Sequence, residues 1–187
     1  MQNKDTVVIE FNQSDLDEYI KYYFKMKPRC KKPPIDSPMV RSLNKMLVIT
    51  NRIVQNNWKQ NWKDYSMWLV NKYGLTDLGI SSADMSLHLT FPTKARRDLD
   101  NFISKEVLDG FVESGLIVDD SYFYIHSIKT TAEYQKGITK MIFTFSNCKY
   151  DLEDLRATQE KEKHRKEAKA KTIAAKPKKS KSKAKKK

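Results

Sequence analysis

Long apolar runs are missing from this chain. No stretch approaches the roughly 18 consecutive apolar residues that a membrane-spanning helix needs, so membrane association is not expected. Residues 1–10 lack the basic-then-apolar layout of a secretory leader, and the expectation is a chain without one. Cysteine is scarce. Cys30 and Cys148 are the only two, which excludes a disulfide framework and reads as free thiols of a reducing compartment. His88, His126 and His164 stand far apart, and no Cys/His cluster has the spacing of a zinc site. There is no internal repeat. A nuclease motif of the Asp…Glu-x-Lys type is also absent, since Glu133-Tyr134-Gln135-Lys136 has the wrong spacing.

What is present suffices for one packed domain with tails. The 187 residues are 39% hydrophobic and 11% aromatic, too apolar for a wholly disordered chain. The formal net charge of +13 is unevenly placed. Residues 161–187 hold 14 Lys and Arg against 2 Glu, whereas residues 1–160 hold 22 basic and 21 acidic side chains. The body is nearly neutral and the basicity belongs to an appendage.

Hydrophobic periodicity predicts a strand over 6–11, a short helix over 15–26 and a proline-rich loop over 27–38. A long helix is expected over about 39–73, its stripe running through Val40, Leu43, Met46, Leu47, Ile53 and Val54 and on to Trp58, Trp62, Tyr65, Trp68 and Leu69, with Gly74 as its stop. Residues 81–83 read as a turn and 85–91 as a half-buried strand. A helix over 101–114 follows, begun by Asp100 or Asn101 and ended by Gly115. Strands over 122–130 and 139–145 flank a turn at Gly137. Residues 151–170 suit a solvated helix, and 174–187 is low-complexity Lys/Ala/Ser/Pro, expected to be disordered by itself. The order of elements indicates a small α/β or α+β domain with a mixed sheet packed with helices, over 1–150, followed by a charged helix and tail over 151–187.

The chemistry concentrates in Arg96-Arg97-Asp98-Leu99-Asp100-Asn101. Carboxylates at i and i+2 of an extended stretch point to one side of the backbone. A second acidic pair, Asp119-Asp120, opens the following strand. If that strand runs beside the first, three or four carboxylates meet at one sheet end. Such a cluster is costly unless a cation neutralises it, and hard oxygen donors suit Mg²⁺ or Mn²⁺. A carboxylate-held metal polarises a phosphoryl oxygen and activates water, while Lys94, Arg96 and Arg97 could hold a phosphate backbone. Read alone, Asp98-Leu99-Asp100-Asn101 is equally a surface turn with a helix cap, and Asp119-Asp120 a hairpin turn.

Arg96-Arg97-Asp98-Leu99-Asp100-Asn101, the amphipathic helix after it, then Gly115-Leu116-Ile117-Val118-Asp119-Asp120 and a hydrophobic strand resemble the RusA family of Holliday-junction resolvases over about 84–145. The resemblance implies a metal-dependent endodeoxyribonuclease that nicks four-way junctions and related branched DNA in pairs. Its metal-binding aspartates correspond to Asp98, Asp100 and Asp120, with Asp119 in support. Its helix lysine corresponds to Lys105, with one extra residue between Asn101 and Lys105 relative to the family pattern. Arg97 corresponds to a basic position that contacts phosphate. The resemblance further implies Mg²⁺ with Mn²⁺ as a substitute, no small-molecule cofactor, a homodimer matching the two-fold symmetry of the junction, and a place at the nucleoid in the cytoplasm of a bacterial or phage-infected cell. Trp58, Trp62 and Trp68 are then expected to divide between the core and a partner surface.

Two features lie outside that match. Tyr22, Tyr23 and Phe24, among Lys21, Lys25 and Lys27, could stack on exposed bases or pack inward from an amphipathic helix. The polycationic tail, with Lys178 and Lys179, reads as a non-specific DNA tether. The competing reading is a non-catalytic, architectural DNA-binding protein acting through that tail. Against it stands the clustered acidic motif, which repels DNA unless a cation intervenes.

Overall fold

The computed structural model describes residues 5–42, 45, 48–102 and 105–174. Two units emerge, Met1–Leu155 and Arg156–Lys187. The first is a mixed α+β domain. A four-stranded sheet has the order β1 (Thr6–Phe11), β4 (Lys140–Tyr150), β2 (Ile80–Phe91), β3 (Ile125–Tyr134). The β1/β4 and β4/β2 pairs are antiparallel and the β2/β3 pair is parallel, so the expected mixed sheet is present.

Alternation along the strands explains the core. Val7, Ile9 and Phe11 of β1, Met85, Leu87 and Leu89 of β2, and Met141, Phe143 and Phe145 of β4 are buried on one face. Three helices meet that core: α1 (Gln13–Met26), α2 (Arg52–Lys72) and α3 (Lys105–Glu113). Aromatic edge-to-face contacts join the layers, with Phe111 5.2 Å from Phe143 at 89° and Phe11 5.4 Å from Tyr65 at 85°. Trp62 is fully buried, while Trp58 and Trp68 are partly buried against the core.

The expected long helix is shorter than its stripe. Asn51 accepts from the Ile53 and Val54 amides and so starts α2 there. Ile53 and Val54 are consequently exposed, at 71% and 49%. Residues upstream are not a continuation of α2. Met39 and Val40 are buried from an irregular segment, and Leu43, Met46 and Leu47 lie outside the described residues. At the other end Gly74 takes φ +66° and the Leu75 amide returns to the Val70 carbonyl, ending the helix as anticipated.

Residues 81–83 belong to β2 rather than to a turn. Register irregularities between Ile80 and Ser82 and between Ser82 and Asp84 account for their turn-like composition. After β2, the expected single helix is split. A 3-10 turn covers Leu99–Phe102 and α3 begins at Lys105; Ile103 and Ser104 lie outside the described residues. β3 begins at Ile125, because Ser121 accepts from the Tyr124 and Ile125 amides and closes a turn first. β4 runs on to Tyr150, well past 145.

The last helix, α4 (Leu152–Ala174), starts where the Asp151 carboxylate accepts from the Glu153 and Asp154 amides. Leu155 is buried. From Arg156 onward the helix carries no apolar stripe, as its charged sequence anticipates.

Candidate functional site

The chain leaving β2 forms a loop over 92–98 that is held by one of its own side chains. Arg97 donates from Nη1 to the carbonyls of Thr93 and Ala95, both at 2.9 Å, and from Nη2 to the Thr93 hydroxyl at 2.8 Å. Its guanidinium also lies 4.4 Å from the centre of the Phe91 ring. Arg97 is thus a brace for the loop that carries the motif. Lys94 sits 5.3 Å over the Tyr134 ring, and Arg96 is exposed.

Arg96, Arg97, Asp98 and Asn101 line a cavity of about 580 Å³ together with Asp36, Arg41, Ser42 and Lys45. Sequence reasoning did not find these last three, having placed them on a helix. The reason they arrive here is packing of the proline-rich loop: Ile35, Met39 and Val40 are buried, and Asn61 of α2 donates to the Pro34 carbonyl at 2.9 Å. The apolar residues between charged ones were the available signal. Asp36 pairs with Arg41 at 2.6 Å, and both are largely exposed, so the pair is worth little as stability.

Asp98 and Asp100 flank Leu99 at the entry to the 3-10 turn. The Asp98 carbonyl accepts from the Asn101 amide at 3.2 Å, and the Asp100 carboxylate accepts from the Asn101 side chain at 3.3 Å. Asp119 and Asp120 are half-buried in the segment that precedes β3. Strand order does not by itself bring the two acidic sets to one sheet end. β2 and β3 are parallel, with Ala83 opposite Ile125 and Phe91 opposite Tyr134, so the chain leaves β2 and enters β3 at opposite ends of the pair. The helical segment between them makes contacts with both strands' surroundings. Phe102 lies 5.2 Å from Phe91, Phe111 packs on the sheet, and Lys105, at the start of α3, reaches Asp120 at 3.4 Å.

Lys105 also pairs with Asp109 at 3.2 Å. Asp109 chiefly, with Asp120 behind it, raises the ammonium above the ordinary lysine range. The structure thus joins Lys105 to Asp120, two of the residues singled out above. The donors are of the right class for a hard divalent ion. Among the described residues, however, no three carboxylate, histidine or cysteine side chains stand close enough to hold one. As they lie, Asp98, Asp100, Asp119 and Asp120 do not enclose a cation, and Lys105 supplies the positive charge at Asp120 instead. Lys178 and Lys179 lie outside the described residues.

Comparison with protein-family models and with curated proteins returns no match. No helix among the described residues is long and apolar enough to cross a membrane.

Proposed function

We propose that this protein is a structure-selective endodeoxyribonuclease of the RusA kind, acting on four-way junctions and related branched DNA as a homodimer. What supports this reading is the basic cavity of Arg41, Lys45, Arg96 and Arg97 set directly against Asp98 and Asn101 of the motif. A phosphodiester drawn into the cavity meets guanidinium and ammonium donors with the motif carboxylates at its edge. Lys105 pairs with Asp120 at 3.4 Å. Activity is proposed to require Mg²⁺ or Mn²⁺ at Asp98, Asp100 and Asp120, with Asp119 in support. Loading an ion there would require Lys105 to release Asp120, which its exposed side chain permits.

The test is cleavage of a synthetic four-way junction beside linear and single-branched controls, with Mg²⁺ and with chelator. The expected outcome is paired nicking by the wild type in Mg²⁺ alone, and binding without cutting by Asp100→Asn. Arg96→Ala is expected to weaken junction binding. Light scattering of the protein at working concentration should give twice the chain mass, and a monomer would remove the dimer from the proposal.

One observation favours a second reading. The carboxylates do not enclose a cation as they lie, and the polycationic tail could bind DNA without chemistry. An architectural protein would bind every duplex with similar affinity and cut none, so failure of the wild type on all branched substrates selects it.

A further inference from the structure

The segment just after Asp120 carries two large rings that the core does not use. Tyr122 is 74% exposed and Phe123 68% exposed. Their rings stack on each other, 4.1 Å between centroids with 29° between planes. Neighbouring apolar side chains normally turn inward when a core is available, and this domain has one within reach. Instead the loop holds both rings outward.

That loop is braced. The Val118 amide donates to Ile80 at 3.0 Å, and the Ala83 amide donates to Tyr124 at 2.9 Å. The Ser121 carbonyl accepts from Tyr124 and Ile125. His126 Nδ1 donates to the Tyr122 carbonyl at 3.3 Å, and its Nε2 is hydrogen-bonded with the Ser82 hydroxyl at 2.9 Å. The Tyr124 hydroxyl donates to Asp154 at 2.9 Å. A ligand that stacks on Tyr122 and Phe123 therefore meets a preformed surface and orders little chain on binding.

We propose that Tyr122 and Phe123 form a platform on which an unpaired nucleobase of branched DNA stacks, an inference that rests on the nucleic-acid reading above. Flat aromatic faces suit a base of any sequence. Charge separates the roles. Without a bound cation, Asp119 and Asp120, just upstream of the platform, disfavour a phosphate backbone there, whereas a base carries no net charge. The backbone is left to the basic cavity of Arg41, Lys45, Arg96 and Arg97. Two ring faces are far smaller than the roughly 800 Å² per partner of a stable protein interface, so a second copy is the poorer occupant. The platform gives the site a reason to prefer junctions and bulges, where bases are unstacked, over plain duplex.

The experiment places 2-aminopurine as the single unpaired base of a bulged duplex and, separately, at the crossover of a four-way junction, without divalent ions. Wild type is expected to quench its fluorescence and to bind the bulge more tightly than the fully paired duplex. Tyr122→Ala/Phe123→Ala should lose the quenching and cut that preference by about fivefold or more, with paired-duplex affinity unchanged. Phe123→Trp should keep both. A double variant that quenches and discriminates like wild type overturns the proposal, as does a wild type that shows no preference for the unpaired base. Conversion of an oligomer to a monomer by the double variant, read by light scattering, also overturns it by assigning the rings to an interface between copies. Junction cleavage in Mg²⁺ is run alongside. Stacking without cutting removes the nuclease reading and keeps the platform, and cutting with the platform dispensable does the reverse.

Discussion

Tyr65 is fully buried, and its hydroxyl has no hydrogen-bond partner among the described residues. Its ring is surrounded by Phe11, Tyr19, Trp62 and Trp68, and burial pushes the phenol well above the usual tyrosine range. An unmet buried donor costs about 1–3 kcal/mol. Tyr65→Phe removes it and leaves the ring contacts, so thermal unfolding should move upward by a few degrees. A lower midpoint would mean that the hydroxyl has a partner. Asp84 is the opposite case, a carboxylate with its partners in place. Ser127 donates to it at 2.6 Å and Asn147 at 2.8 Å, and these bonds, Ser127 first, hold it below the usual carboxylate range. A depressed folded value means the contribution is present above the unfolded value, about 3.9, and fades as pH falls through the folded one. Ser127→Ala should return the Asp84 titration toward about 3.9 in a carboxyl-carbon NMR series, and an unmoved titration would deny Ser127 its role.

At the scale of elements, α2 and α3 pack tightly against each other at Gly110. A Cβ built there would stand 2.6 Å from the Ser66 Cβ and 2.9 Å from the Lys63 carbonyl oxygen. Neither atom is the far end of a flexible side chain, so Gly110→Ala must push α3 off α2. The expected cost is about 1–3 kcal/mol, visible as a lower denaturant midpoint. Because α3 begins with Lys105, the same substitution should loosen the Lys105–Asp120 contact. Under the proposed function, junction cleavage is then expected to fall by more than the loss of folded protein explains. A stable Gly110→Ala protein with wild-type activity would show that the α2–α3 spacing does not position this pair.

For the whole molecule, the salient property is where charge resides. The body is close to neutral, and residues 161–187 carry nearly all the excess. Truncation after Glu160 removes 14 cationic side chains and, if the tail tethers DNA as proposed, the counterion release they would provide. DNA binding should weaken at low salt, and the slope of log affinity against log salt should flatten. Under the proposed function, the requirement for Mg²⁺ and single-turnover cleavage at saturating protein should survive. Loss of cleavage under those conditions would place the tail in the chemistry rather than in tethering.

Much of the fold was legible because it rests on local periodicity and on single residues that stop or start elements. β1 occupies 6–11 as expected, α1 nearly so, and Gly74, Gly115 and Gly137 all take positive φ where an element ends or turns. The misreadings have separate causes. The stripe from 39 had helical spacing, but Met39 and Val40 are buried from a loop that packs on the domain, and Asn51 starts the real helix. Residues 81–83 looked like a turn because register irregularities leave small polar residues inside a strand. For the candidate site, the motif and the acidic pair stood out by composition, and Lys105 by resemblance. That Arg97 braces its own loop, that Arg41 and Lys45 line a cavity with the motif, and that Lys105 spans to Asp120 depend on partners distant in the chain. Sequence alone determined which elements could form, since turn geometry and amphipathic spacing are local. Only the tertiary structure decided which charges meet, because that is set by parallel strand order and by the packing of α3 and the proline-rich loop, and no local pattern encodes either.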